Sequence, residues 1–207
     1  VLIGGVPLLI LCAGASMLVQ WLVFVPAAVV QSEKFFDLTG SLTYLTLMVF
    51  SLAAAATQRE LTARQILMSA AVALWAIRLG TFLFWRIHKE GQDGRFDEIK
   101  IDPMRFWSVW TIQGLWVFFT ALCVLIVNTR AEPAGALGLL DGLGMTIWAL
   151  GLGIEVIADR QKRVFRHDPA QEGRFITTGV WAWSQHPNYF GEILLWAGIA
   201  VIAFPTL

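Results

Sequence analysis

"WSQHPNYFGEIL", residues 183–194, runs directly into the apolar stretch Ile193–Leu207. If that stretch enters a bilayer, then a histidine, a proline, an amide, a tyrosine and a glutamate stand at the mouth of a membrane helix. Pro187 suits the first turn of such a helix, with His186 or Ser184 as a possible cap. Asn188 and Glu192 are four residues apart and face the same way. A carboxylate near a helix N-terminus is also favoured by the helix dipole. Capping accounts for one or two of these polar groups and leaves the rest as candidates for chemistry.

The remainder of the chain supports the membrane reading. Of 207 residues, 57% are hydrophobic and only 14% charged, at a mean hydropathy of +0.66, where a soluble domain carries about 25% charge. Ten tryptophans suit two membrane interfaces. The formal net charge of zero gives no global attraction to nucleic acid. Cys12 and Cys123 lie in apolar runs without a CxxC, which points to neither a disulfide framework nor a zinc site.

A transmembrane helix needs about 20 mostly apolar residues. Val1–Ser32 is uncharged, enough for one span with a bend near Pro26, and it lacks the basic start of a cleaved signal peptide. Further spans are expected at Leu38–Gln58, Ile66–Trp85, Phe106–Thr129 and Leu139–Ala158. The sixth, Ile193–Leu207, has 15 residues and is short for the bilayer, so the chain is expected to be cut inside or just after a span. The loops after spans one, three and five hold 11 of the 15 Lys and Arg residues. That bias places these loops in the cytoplasm and the N-terminus outside. The expected fold is therefore an all-α polytopic integral membrane helical bundle, a single domain over residues 1–207.

Charge collects in two cytoplasmic loops. "RIHKEGQDGRFDEIKIDPMRF", 86–106, is rich in turn residues and carries Arg86 and Arg95. It reads either as a solvated connector or as a loop that binds phosphate through its cations. "EVIADRQKRVFRHDPAQEGRF", 155–175, puts Glu155, Asp159, Arg163 and Arg166 within about 80° of arc if span five continues as a helix. Salt-bridged helix ends look like this, but Glu155 lies just inside the apolar run, where an acid is costly and a functional candidate. Arg78 lies deeper still, within "LMSAAVALWAIRLGTFLFW", residues 67–85. Trp75, Phe82 and Arg86 share its side of the helix, so an aromatic-lined basic cleft is expected there.

"GLGIEVIADRQKRVFR", 151–166, and "TGVWAWSQHPNYFGEILLWAGI", 178–199, resemble the C-terminal domain of the steroid 5-alpha-reductase family, in its bacterial multi-pass branch. "SEKFFDLTGSLTYL", 32–45, and "LWAIRLGTFLFWRIHKEGQDGRFDEIK", 74–100, extend that resemblance over nearly the whole chain. It implies a seven-helix membrane fold of which six spans are visible, placed in the inner membrane if the source is bacterial. It also implies NADPH in a cytoplasm-facing cavity, and reduction of a C=C bond conjugated to a carbonyl in a lipid-like substrate entering from the bilayer. On the same resemblance, Asn188 and Glu192 lie at the nicotinamide end, and His186 is a further cofactor-binding candidate. Asp159, Arg163 and Arg166 form the stripe for the adenosine and phosphates, Arg78 and Arg86 line the cofactor cavity, and Glu155 and Arg95 are further cofactor-binding candidates. Asp37 is the counterpart of a carboxylate that helps bind the substrate carbonyl, and Tyr189 or Glu192 could polarise the acceptor.

The chain departs from the family in two places. Trp75 stands where 5-alpha-reductases have a tyrosine that polarises the ketone, and an indole N–H donates a hydrogen bond but is no practical acid. Gln185 stands where many relatives have arginine. Two other readings are an S-adenosylmethionine-dependent membrane methyltransferase, which shares the His-Pro-x-Tyr helix start, and a non-enzymatic membrane protein. Membrane lipids are the other expected partners, and a monomer satisfies each reading.

Overall fold

The computed structural model describes residues 1–132 and 135–207. It is helical, and five of its helices are long and apolar enough to cross a membrane, or six spans if one bent pair counts as a single crossing. The chain divides into two compact units, Val1–Ala136 (with Leu207) and Leu137–Thr206.

The first unit opens on a feature the uncharged run concealed. Leu2–Ile3 (β1) and Val6–Pro7 (β2) pair antiparallel. Gly4 and Gly5 turn between them at φ +56° and +82°, the positive pair that a two-residue hairpin requires. Helix α1 therefore starts only at Leu8 and runs to Val29. It is followed by α2 (Phe36–Ala56) and α3 (Ala63–Glu90). The Thr62 hydroxyl and the Gln65 side chain close a capping box at the start of α3. α4 (Pro103–Thr120) starts on an Asp102 side chain that accepts from the Met104 and Arg105 N–H groups, with Pro103 in the first turn.

The expected fourth span is broken. α4 and α5 (Leu122–Thr129) meet at a 58° bend. At the break the Thr120 hydroxyl donates to the Trp116 carbonyl at 2.7 Å, competing with the helix's own ladder. A cluster of Phe36, Phe96, Phe106 and Trp110, joined by Phe24, packs edge to face at one end of this unit. The segment between α3 and α4 is tied onto that end by Glu33. Its carboxylate accepts from the Asp93 N–H at 3.0 Å and from Lys100 Nζ at 3.1 Å.

The second unit is a hairpin of α6 (Leu139–Arg166) and α7 (Pro187–Ala203). The buried positions of α6 include Asp141, Gly144, Trp148, Gly151, Glu155 and Ala158, at alternating steps of three and four, the spacing of a helix–helix seam. The helices run antiparallel and touch through glycine. A Cβ on Gly144 would stand 2.6 Å from the Gly198 carbonyl, and one on Gly151 would stand 2.6 Å from the Gly191 carbonyl. Such small-residue contacts let helix backbones meet where lipid offers no hydrophobic drive. The sixth span does not begin at Ile193. α7 starts at Pro187, and a 20-residue span runs from Pro187 to Thr206. The polar residues of the opening motif are thus its first turns, because proline at the first helical position pre-sets the helix there.

Candidate functional site

The second unit brings together most of the residues expected to bind a cofactor. α6 continues as one helix past its apolar run to Arg166, so Glu155, Asp159, Arg163 and Arg166 form the expected stripe. Glu155 is 3% exposed and Asp159 is buried, whereas Arg163 and Arg166 are exposed. The stripe thus passes from a dry end to a wet end. At the dry end α7 approaches closely, since a Cβ on Gly191 would lie 2.7 Å from the Glu155 backbone nitrogen. That approach sets the start of α7 beside α6. Asp159 is near enough to Glu192 for the two carboxylates to act on each other electrostatically. Asn188, one turn before Glu192, has a buried Oδ1 with no hydrogen-bond partner among the described residues. A buried carbonyl oxygen without a donor is an unmet demand, costing on the order of 1–3 kcal/mol until something supplies one.

His186 occupies the N-cap position of α7, but its side chain makes no capping hydrogen bond. The Ser184 hydroxyl accepts from the His186 N–H at 3.1 Å, and the His186 ring stacks on Tyr189, centroids 5.2 Å apart. Tyr189 itself is exposed.

The expected residues of the first unit make contacts within that unit. Arg86 pairs with Asp37 at 3.4 Å, joining α3 to the first turn of α2. The Arg78 guanidinium lies 5.4 Å from the centre of the Phe82 ring, a cation–π contact that shelters an intramembrane charge. Trp75 is buried, its ring edge-on to Tyr44 at 5.0 Å. Tyr44 was not singled out from sequence. It places a phenol beside the Trp75 indole, and its hydroxyl bonds to Thr120.

In the stretch 86–106, three further cations are spent on nearby carboxylates. Arg95 Nε donates to Asp93 at 3.0 Å, Lys100 bridges Glu33 and Asp97, and Arg105 pairs with Asp102. The Arg95 guanidinium holds the Asp93 carboxyl below the usual carboxylate range. Burial pushes the Glu33 carboxyl up, but the Asp93 N–H, its own backbone N–H and the Lys100 ammonium together bring it below that range. Lys100, hydrogen-bonded to Glu33, is raised in turn.

A family model described as "Protein of unknown function (DUF1295)" matches residues 23–207. Among curated proteins, the "Probable O-methyltransferase ustE" of Ustilaginoidea virens is 27% identical, the match covering 57% of this chain and 51% of that protein. The chain thus spans about half the length of this relative. No solved structure matches it.

Proposed function

The chain belongs to the DUF1295 family, and on that premise we propose that it is a membrane-embedded reductase. It would use NADPH to reduce a C=C bond conjugated to a carbonyl in a steroid-like or other lipid substrate. The observation that carries this reading is the polarity of the α6–α7 site. A buried, partnerless amide oxygen at Asn188 lies on the helix that packs against Glu155, and the stripe from Glu155 emerges on the exposed Arg163 and Arg166. A dinucleotide has the matching asymmetry, a neutral carboxamide at one end and phosphates at the other.

The residues fit the cofactor on their own chemistry. Asn188 Oδ1 accepts from the carboxamide N–H, which meets its demand for a donor. Glu192, one turn further, orients the same end of the ligand. Arg163 and Arg166 neutralise phosphate oxygens with charge-assisted hydrogen bonds. When bound, the cofactor would supply a hydride for the β-carbon of the enone, the proton for the α-carbon coming from water. The protein's part is to orient, to exclude water and to polarise the carbonyl. The resemblance to steroid 5-alpha-reductases assigns that last role to the first unit, where Asp37 and Trp75 are the candidates, with Tyr189 as a further donor.

A second reading, O-methyl transfer from S-adenosylmethionine, is favoured by the name of the fungal relative. It leaves the basic wet end of the stripe unexplained, because that donor has no phosphates.

The detergent-purified protein separates the two. A ligand that binds the native state raises the melting temperature. NADPH is expected to do so, and NADH less. Arg166→Ala and Glu192→Ala are each expected to weaken NADPH binding about tenfold or more, the scale of a lost hydrogen bond to a charged group. Stabilisation by S-adenosylmethionine alone would replace the reductase reading with the methyltransferase. If both variants bind NADPH as the parent does, the cofactor site lies elsewhere.

A further inference from the structure

The second unit has a concavity on the face of α6 turned away from the Glu155–Arg166 stripe. After α6 the chain doubles back along the helix and is pinned there three times. Val180 N–H donates to Gln161 Oε1 at 3.1 Å, and Trp181 Nε1 donates to the Ala158 carbonyl at 3.0 Å. Lys162 Nζ lies 4.9 Å from the centre of the Trp181 ring. Gly179, at φ +64°, passes so close to Gln161 that a Cβ would stand 2.4 Å from its amide. Between loop and helix an open cavity of about 550 Å³ remains, lined by Ile157, Arg160, Val164, Phe165 and Ile176 among others. Ile157, Arg160 and Val164 are three, four and seven residues apart. That puts them on one side of the helix, roughly opposite Glu155, Asp159 and Arg166.

We propose that this cavity binds the headgroup of an anionic phospholipid, with Arg160 on the phosphate and an acyl chain leaving past Ile157 into the bilayer. Three observations lead there. The first is depth. A hydrocarbon core of about 30 Å takes up roughly 20 helical residues, which from Leu139 ends near Ala158, so Arg160 stands at headgroup level. The second is the loop itself. It exposes Phe175 at 91% and Trp183 at 85%, a cost in water and the usual company of a membrane interface. The third is charge. Arg160 lines the cavity and has no carboxylate partner among the described residues. Asp168, which also lines it, spends an oxygen on the Ala170 N–H at 3.0 Å. A cation at headgroup depth, one turn above the half-exposed Ile157, matches a lipid's own order of charge above hydrocarbon. The site is independent of the cofactor reading, since it shares none of the residues assigned there.

The test uses the protein in neutral detergent, with dioleoylphosphatidylglycerol or dioleoylphosphatidylcholine added as mixed micelles. The anionic lipid is expected to raise the melting temperature by a few degrees and the zwitterionic one is not, with the difference shrinking in high salt. Arg160→Gln should abolish the response by removing the cation. Val164→Trp should abolish it by filling the cavity, and it decides the matter if the first variant does not fold. Arg105→Gln, which removes a cation from an exposed pair with Asp102 in the other unit, should keep it. Equal stabilisation by the two lipids would overturn the proposal, as would a response retained in both cavity variants. Loss in Arg105→Gln as large as in Arg160→Gln would reduce the effect to diffuse charge. Equal stabilisation by glycerol phosphate would make this a phosphate site and defeat the lipid assignment.

Discussion

At the scale of single residues, Glu33 shows how much a carboxylate outside the membrane helices can organise. It is 4% exposed, and it holds both the Asp93 backbone and the Lys100 ammonium. Its carboxyl sits below the usual range in the folded protein, so the charged form binds better folded than unfolded. The stabilisation is therefore complete above the unfolded value of about 4.3 and is lost as the pH falls through the lower folded value. Glu33→Gln keeps the acceptor for Asp93 and loses the charge for Lys100. Thermal melts should place the variant below the parent at neutral pH, with the gap closing as the pH drops below about 4. A gap that persists undiminished well below that pH would mean the pair contributes packing and no charge.

At the scale of the element, the α6–α7 hairpin depends on which glycines face the seam. Gly151 meets the α7 backbone at distances no Cβ tolerates, while Gly153, two residues on in the same helix, has nothing within 4 Å. Gly151→Ala should destabilise the protein by about 1–3 kcal/mol, as overpacking against a rigid backbone does. Gly153→Ala should be neutral or stabilising by up to about 1 kcal/mol, since alanine gives up less chain entropy in a helix. Denaturation midpoints of the two variants make the comparison. If both behave alike, the glycine seam does not hold the helices together. Because Gly191 also fits against Glu155, Gly151→Ala should lower NADPH affinity as well.

At the scale of the whole molecule, we propose from the bias of basic residues that the segment between α3 and α4 is cytoplasmic and the one between α2 and α3 outside. Glu60 and Glu98 are exposed in these two segments. In a chain whose Cys12 and Cys123 are changed to alanine, a membrane-impermeant maleimide should label Glu60→Cys in intact cells. It should reach Glu98→Cys only after permeabilisation. The reverse pattern would invert the orientation and put the α6–α7 site on the side without NADPH.

Composition and hydropathy were enough to read a helical membrane protein, because the bilayer demands long apolar runs and leaves them plain in the chain. The stripe from Glu155 to Arg166 was legible too, since helical periodicity places residues by number alone. Three things needed the tertiary structure. Gly4 and Gly5 turn a hairpin inside an uncharged run, and Thr120 helps break one span into two helices. Both are backbone events invisible to hydropathy. The pairing of Gly144 with Gly198 and of Gly151 with Gly191 fixed the register of α7 on α6. Only that register brings Glu192 into electrostatic reach of Asp159. Sequence periodicity sets which residues share a face, but which faces meet depends on contacts between residues far apart in the chain.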